Sequence, residues 1–427
     1  MIRDYGLVMR LLALLRDPPV ALLWGGLSLS AIGDQLYAVA LTWIAVGVLG
    51  ASAGYLAALG AACVLGTALF AGRWADAWEQ RGAMIAADVT RALVLIVVVL
   101  DWSFRGHPTA IALILATIIL AGGQAIFRPA LQGLLPGLVR DRAQLPAANA
   151  LLDSTDRVAR LLGPGLVAAL AALVPVKHFL SLDSASFLFS ATALLLIGRL
   201  HPLPARHQTH PPQSFFASAL HGFRAVAAHP ILRLNLQVTG IINGAWYAVI
   251  FLGLPLVIAR HAPGSAGLGA YGLIISSYGC TNLAATLVIG SRKMPESPGR
   301  TIFAGHLVLG IGLMMMALAA STPLPPAISI ASFAASASIG AIGGPLHDIP
   351  VAVLRQTDLP RADVPAAMRA YLVANSGGLL AAMLIVPPLY AALPVPGVIA
   401  FCAMIIAAIG VAGMARFSAR PILADPS

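Results

Sequence analysis

The sequence predicts an all-α integral membrane protein with twelve transmembrane helices, arranged as two pseudo-symmetric six-helix bundles. Hydrophobic residues make up 59% of the chain and charged residues only 10%, whereas a soluble domain carries about 25% charge. The apolar runs reach about 20 residues or more and show no strand-like alternation, so the spans are expected to be helices and not barrel strands. Weak internal repeats place related motifs in the two halves.

The expected spans are separated by turn-forming clusters of Gly, Pro and Ser. The first apolar run has no small-residue cleavage site, so we expect a retained helix and not a signal peptide. The twelve spans cover approximately residues 19–48, 53–75, 83–103, 108–130, 146–174, 177–199, 232–259, 267–290, 301–320, 325–354, 364–392 and 396–416.

The chain is expected to divide into an N-terminal bundle (1–199), a cytoplasmic linker (200–231) and a C-terminal bundle (232–427). The linker is rich in Pro and His, and it ends in an amphipathic stretch around Phe215–Ala228.

The basic residues are distributed unevenly between the two sides of the predicted membrane. Of the 26 Lys and Arg residues, 23 fall on the side that holds both termini and the linker. Such a bias predicts an inner (cytoplasmic) membrane protein with both termini in the cytoplasm. The net charge of +10 is therefore expected to face anionic lipid headgroups and not nucleic acid.

Three short motifs recur in the same order in both halves. Tyr37-Ala38-Val39 returns as Tyr247-Ala248-Val249, and Gly122-Gly123 with Pro129 returns as Gly343-Gly344 with Pro350. The third pair begins at Arg142-Ala143 and Arg361-Ala362. Together the repeats indicate a duplicated six-helix unit, a plan typical of membrane transporters.

A short charged loop connects the second and third spans. It has the pattern G-x-x-x-D-x-W-x-x-R, from Gly72 through Asp76 to Arg81, and an Ala-Asp-x-x-Arg-Ala step (87–92) follows. This loop resembles the signature loop of the major facilitator superfamily, most closely its branch of macrolide and siderophore (enterobactin-type) exporters. Motifs at Gly33-Asp34-Gln35, Phe127-x-Pro129-Ala130 and Leu182-Asp183-x-x-Ser186-Phe187 resemble the same branch.

The resemblance implies a secondary active transporter that works by alternating access, with proton-coupled efflux of small amphiphilic, drug-like compounds. A siderophore exporter and a lysophospholipid flippase remain open within the same class. The family usually has Arg where this chain has Ala77, and often at Gln80 and Gly82. This thinner loop keeps a transport-inactive sensor or scaffold open as an alternative.

Asp34 is the first candidate for a proton- or substrate-binding residue. A carboxyl group within a membrane helix is costly unless it faces a cavity or a partner. Ser30, Asp34, Tyr37 and Leu41 follow helical spacing, so the polar groups share one face. The alternative is a structural Asp that is hydrogen-bonded to neighbouring helices.

The second half offers polar and aromatic side chains that could line a substrate cavity. Interhelical hydrogen bonding is an equally good explanation of the same residues. The candidates are Asn243 and Tyr247 in span 7, with Asn235 and Thr239 on the same face, Tyr278 and Asn282 in span 8, and Tyr371 and Asn375 in span 11.

A second group of residues is expected to form a gate. By the resemblance, Gly72, Asp76 and Arg81 belong to a latch at the cytoplasmic ends of spans 2 and 3, together with Asp88 and Arg91. Asp183 could serve packing, gating or proton transfer. Residues 109–127 carry no charge, so the membrane arginine that many proton antiporters carry in helix 4 is absent there, and proton coupling depends more heavily on Asp34.

Other function classes find no support in the sequence. It contains no Walker loop, paired zinc ligands, Ser/His/Asp set or Rossmann glycines, so we expect no cofactor, no metal and no enzymatic activity. His306, alone in span 9, is expected to be a core residue. The expected partners are a small-molecule substrate, protons and the lipid bilayer, and the protein is expected to be a monomer.

Overall fold

The computed structural model describes residues 14–74, 79–139, 144–200, 215–262 and 264–417. Within these ranges the chain consists of helices joined by short turns, with no strand. We number the helices α1 Pro18–Leu49, α2 Ala53–Trp74, α3 Gln80–Arg105, α4 Ala110–Leu138, α5 Leu145–Leu170, α6 Lys177–Leu200, α7 Phe215–Ala227, α8 Pro230–Tyr247, α9 Leu254–His261, α10 Gly264–Gly290, α11 Pro298–Ser321, α12 Pro326–Thr357, α13 Val364–Ala392 and α14 Val395–Arg416.

By length and composition, the described residues contain ten segments that could cross a membrane. One of them, Pro18–Thr67, joins α1 to most of α2, and another, Pro230–Arg260, joins α8 to α9. Helix α5 is not among the ten, and its middle carries Asp156, Arg157 and Arg160. The predicted all-α membrane fold is confirmed, and each of the twelve predicted spans coincides with helix.

Local capping determines where α3 begins and ends and where α4 begins. The Glu79 carboxylate accepts a hydrogen bond from the Gly82 amide at 3.0 Å, which satisfies a free N–H at the start of α3. At the other end, Gly106 adopts a left-handed backbone conformation with φ of 81°, as is common after a helix C-terminus. Asp101 then accepts from the amide of Thr109 at 2.8 Å and so holds the turn that leads into α4.

The membrane segment that contains α8 is interrupted by a wide π-helical turn, Ala248–Gly253. Pro255 follows it, and a proline ring clashes with the carbonyl four residues earlier in a regular helix. The wider turn relieves that clash but leaves carbonyl groups without their usual partners. The hydroxyl groups of Tyr271 and Tyr390 donate to the carbonyls of Ile250 and Ala248, at 3.3 Å and 3.1 Å.

The chain forms two compact units. The first comprises Met1–Val48 and Cys63–Ser214, and the second comprises Leu49–Ala62 and Phe215–Ser427. Within the first unit, α3 packs against α4 and α6; within the second, α11 packs against α12 and α14, and α13 packs against α7 and α8. The domain boundaries expected from the sequence stay a prediction.

Candidate functional site

The first unit contains a cavity of about 210 Å³. Four helices supply its polar lining, which includes acidic, basic and uncharged side chains. They are Asp34, Gln35 and Tyr37 from α1, Arg91 from α3, Gln124 and Arg128 from α4, and Asp156 and Arg160 from α5. Asp34 and Tyr37, predicted from the sequence to share a polar face, thus both line this cavity.

A close contact between α1 and α6 positions Asp34. At the preceding residue, Gly33, a Cβ atom would lie 2.6 Å from Oδ1 of Asp183 and would also meet Ser186. Only glycine allows the helices to approach this closely, so α1 is held against the Asp183 carboxyl group. Four charged side chains of the first unit act on the Asp34 carboxyl group: those of Arg91, Asp88, Arg128 and Asp156.

Asp88 and Arg91 form an ion pair inside the first unit. Asp88 is fully buried, Arg91 is 2% exposed, and the guanidinium donates to Oδ1 of Asp88. They lie about 12 Å and about 17 Å along α3 from its first residue, at the usual rise per residue. The family resemblance predicts a latch at the helix end, whereas the structure places both residues well inside α3; their gate role stays a prediction.

Arg91 extends from α3 towards α4 and α6. Its Nη1 donates to Oε1 of Gln124 on α4 at 3.0 Å. Its guanidinium carbon lies 4.2 Å from the ring centre of Phe187 and 5.0 Å from that of Phe127, distances at which a cation is attracted to an aromatic face. Residues 110–127 of α4 carry no charge, but α3 supplies the buried Arg91 to this part of the helix.

The pair could have been found from the sequence alone. Asp88 and Arg91 are three residues apart in an apolar run, and this spacing places oppositely charged side chains next to each other on a helix. A charge inside a membrane helix almost always faces the bundle interior and finds a partner. The latch interpretation rests on the family motif. The position of the two residues within the apolar run indicates a buried pair instead.

Two buried polar groups beside Asp34 have unused hydrogen-bonding capacity. Asp183 is fully buried; its Oδ1 accepts from Ser186 Oγ at 3.3 Å, while its Oδ2 has no partner among the described residues. The Tyr37 hydroxyl is likewise buried without a described partner. The charges of Asp34 and Asp183 both act on Tyr37, so the three groups form one electrostatic cluster.

A more exposed ion pair lies at another part of the cavity lining. Arg128 on α4 donates to Asp156 on α5 at 2.8 Å, with side-chain exposures of 58% and 31%. Trp24 Nε1 also donates to Thr155 Oγ1 at 2.8 Å, linking α1 to α5. The cavity therefore joins a buried charged region around Arg91 to a more open one around Arg128.

In the second unit, predicted polar residues of α8 and α13 bond directly to each other. Asn235 donates to the Tyr371 hydroxyl at 3.0 Å, and Thr239 donates to Asn375 Oδ1 at 3.1 Å. Asn243 approaches the Asn375 carbonyl at 3.5 Å. These contacts agree with the interhelical alternative, and the predicted binding roles of Asn243, Tyr371 and Asn375 remain untested.

Aromatic side chains of the second unit gather near the π-helical turn. Trp246 lies edge-on to Tyr247 at 4.9 Å between ring centres and 5.8 Å from Tyr278. Phe251 stacks on Tyr247 at 4.8 Å. Asn282, also a predicted binding residue, donates to the Ala341 carbonyl at 3.1 Å. Tyr247 and Tyr278 thus share one aromatic cluster.

Only part of the signature loop lies within the described residues. Asp76 falls outside them, and at Gly72 only the helical backbone of α2 is described. Arg81 lies 3.6 Å from Glu79, and its guanidinium contacts Gly198 of α6. The Gln80 side chain contacts Gly133 of α4. The end of the loop therefore packs onto two helices of the first unit.

Comparison with known proteins identifies the family. The model of the Major Facilitator Superfamily matches residues 23–383, which is most of the chain. The chain belongs to the major facilitator superfamily. Membership of this family indicates a membrane transporter and not a catalytic enzyme.

Solved structures with this fold include transporters of several kinds. A POT family transporter in complex with 5-aminolevulinic acid is 14% identical, with a TM-score of 0.65 and coverage of 92% of this chain and 96% of that one. A bacterial homologue of the iron transporter ferroportin, in an inward-facing state, is 15% identical, with a TM-score of 0.65 and coverage of 94% and 99%. No curated protein matches the sequence. At these identities the neighbours establish the fold and not the substrate.

Proposed function

We propose that this protein is a proton-coupled secondary transporter that exports small amphiphilic compounds by alternating access. The observation that carries the proposal is the Asp34 carboxyl group at a membrane cavity, beside the buried Asp183 and a Tyr37 hydroxyl that has no described partner. Titratable groups that face a cavity inside a membrane are characteristic of proton and ion pathways.

The two carboxyl groups are suited to hold a proton between them. Asp34 and Asp183 act on each other electrostatically, and two like charges in one poorly solvated site repel strongly. One bound proton removes that repulsion. The hydroxyl of Tyr37 could then donate to whichever carboxylate is ionised.

Arg91 would link the proton site to the rest of the unit. It is already paired with Asp88, so it does not neutralise Asp34 completely. When Asp34 ionises, the arginine would be attracted towards it and away from Asp88; when Asp34 is protonated, the arginine would return. Because its guanidinium contacts Gln124 on α4 and Phe187 on α6, this shift would pull on two other helices.

The direction of transport and the type of substrate rest on the sequence and on the aromatic cluster. The Gly33-Asp34-Gln35 and Leu182-Asp183 motifs resemble the macrolide and siderophore exporter branch, which supports export. The rings of Trp246, Tyr247 and Tyr278 offer an apolar surface, which supports amphiphilic substrates. The charge bias supports an inner-membrane location with cytoplasmic termini.

Transport of a compound panel into everted membrane vesicles tests the proposal. Fluorescent dyes, macrolides, a siderophore and a lysophospholipid are each supplied with and without a pH gradient that is acidic inside, using wild type and Asp34→Asn. We expect at least one compound to accumulate only with the gradient and only in wild type. If no compound moves although the protein is present at normal level, the transport proposal fails and a sensor or scaffold becomes the better explanation.

A further inference from the structure

The second unit contains a polar network of its own. Its centre is His347 on α12, whose Nδ1 lies 2.8 Å from Oδ1 of Asp348 and whose Nε2 lies 2.8 Å from Oδ1 of Asn235 on α8. Asn235 is fully buried. The histidine thus connects an acidic side chain on its own helix to a buried amide on another.

The donor and the acceptor of each hydrogen bond in this network can be assigned one after another, starting from Tyr371. The Tyr371 hydroxyl donates to the Leu232 carbonyl at 3.3 Å, so it must accept from the Asn235 amide nitrogen, which lies 3.0 Å away. The amide oxygen of Asn235 then faces His347 Nε2, which must carry a hydrogen to donate to it. This fixes one proton of the ring on Nε2.

The other ring nitrogen then determines the charge of the pair. With Nε2 occupied, Nδ1 of His347 faces Asp348 either as a lone pair or as a second N–H group. A lone pair on Nδ1 would be repelled by an ionised carboxylate, whereas a proton between Nδ1 and Oδ1 makes the 2.8 Å contact favourable. The geometry therefore suits a site that binds one proton more than a neutral histidine and a free carboxylate carry.

The second histidine limits how much positive charge the site can hold. The His306 ring on α11 lies 4.4 Å from the His347 ring, centre to centre, and Phe303 lies edge-on to His306 at 5.6 Å. His306 is 4% exposed, and its Nε2 has no hydrogen-bond partner among the described residues. Two charged imidazoles at this separation would repel, so only one of them carries the charge.

The groups that surround the site allow a proton to reach it. Asp348 is 75% exposed, while its charge still acts on Tyr278 of α10. On the buried side, Arg355 of α12 stacks on the Tyr371 ring at 4.8 Å. A proton can therefore arrive at the exposed carboxylate and pass to the more buried imidazole of His347.

We propose that His347 and Asp348 form a second proton-binding site, whose state α8 and α13 sense through Asn235 and Tyr371. The proton passes from the Asp348 carboxyl group to the Nδ1 lone pair of His347: the O–H bond breaks, the N–H bond forms, and Asp348 is left as a carboxylate. When it leaves, the contact with Asp348 loses its hydrogen bond, and the chain of contacts from α12 to α8 and α13 loosens. A role for this proton in transport rests on the proposed function. The binding of the proton by His347 and Asp348 is independent of that proposal.

Histidine ¹⁵N NMR of the full-length protein in lipid nanodiscs tests proton binding without any substrate. The spectra are recorded from about pH 5 to about pH 9, the range in which histidines titrate, for wild type, His347→Gln, Asp348→Asn and His306→Gln. His221→Gln is the matched control, because His221 on α7 also pairs with an aspartate, Asp363, at 2.8 Å. Thermal unfolding of each variant checks that it is folded.

We expect one pH-dependent imidazole signal to disappear in His347→Gln and to remain in His306→Gln and His221→Gln. In Asp348→Asn the midpoint of that signal should move to lower pH, because the carboxylate that stabilises the imidazolium is gone. The inference is wrong if the His347 signal does not change over this pH range, or if Asp348→Asn leaves its midpoint unchanged. A titrating His347 in a protein that moves no compound would contradict the transport proposal and not this one.

Discussion

The buried ion pair in α3 allows a quantitative test of how the first unit is stabilised. Replacing Arg91 by Met keeps much of the volume of the side chain but leaves the Asp88 carboxyl group, which is fully buried, without its cation. Replacing Asp88 by Asn leaves the buried arginine without its anion. Replacing both residues removes the two charges together.

The expected sizes follow from the burial of the pair. Breaking a buried ion pair by removal of one partner costs about 3–5 kcal/mol, whereas replacing both partners can be close to neutral. Arg91 also loses its hydrogen bond to Gln124 and its contacts with Phe127 and Phe187, worth about 1–3 kcal/mol each, but these are lost in Arg91→Met and in the double variant alike. The double variant should therefore be more stable than Arg91→Met alone by about 2 kcal/mol or more.

The free energy of unfolding can be measured by SDS titration in mixed micelles, with tryptophan fluorescence as the signal. Arg105→Gln is a matched control, since the Arg105–Asp101 pair on the same helix spans 2.9 Å but leaves the arginine 65% exposed, and exposed pairs contribute about 0–1 kcal/mol. If Arg91→Met destabilises no more than Arg105→Gln, or if the double variant is as unstable as the sum of the two single ones, the pair is not a coupled buried ion pair.

Three further substitutions test individual contacts. Gly33→Ala should destabilise by about 1–3 kcal/mol through overpacking against α6, whereas Gly25→Ala on the same helix, where a Cβ would meet nothing within 4 Å, should stabilise by about 0.5–1 kcal/mol; equal thermal shifts would contradict the close contact. Tyr37→Phe should leave stability unchanged or raised, because its hydroxyl has no described partner, but should slow gradient-driven transport; an unaltered rate would remove Tyr37 from the site. Tyr390→Phe should cost about 1 kcal/mol in SDS titration through the lost bond to Ala248, and no change would show that this bond is unimportant.

Hydrophobic composition and length were sufficient to predict the helical membrane fold. An apolar run of about 20 residues has few other stable structures in a bilayer, so the spans matched helices even where boundaries shifted by several residues. The π-helical turn was not predicted, because it arises from Pro255 together with the hydroxyl groups of Tyr271 and Tyr390, which lie far along the chain.

The candidate site was only partly predictable. Asp34 stands out because a carboxyl group in an apolar run is rare, and the structure places it at a cavity. Its neighbours Asp183 and Arg91 come from other helices, and sequence spacing does not indicate which helices touch. The sequence predicts a solitary core residue at His306, because its neighbour His347 is on another helix, 4.4 Å away between ring centres.

Polar residues in membrane helices were the hardest to assign. Asn235, Thr239 and Tyr371 follow helical spacing whether they face a substrate or a neighbouring helix, so the periodicity is the same in both cases. Their bonds across α8 and α13 could be learned only from the packing of the two helices.

The most direct test of proton-coupled transport compares two kinds of movement in proteoliposomes that contain wild type or Asp34→Asn. One assay measures exchange of a labelled compound, identified in the vesicle panel, at equal pH on both sides. The other measures accumulation of the same compound against its gradient, driven by a pH difference, together with proton flux from a trapped dye. We predict that Asp34→Asn keeps exchange but loses accumulation and proton flux. Accumulation and proton flux at the wild-type rate in Asp34→Asn would contradict the assignment of Asp34 as the coupling carboxyl group.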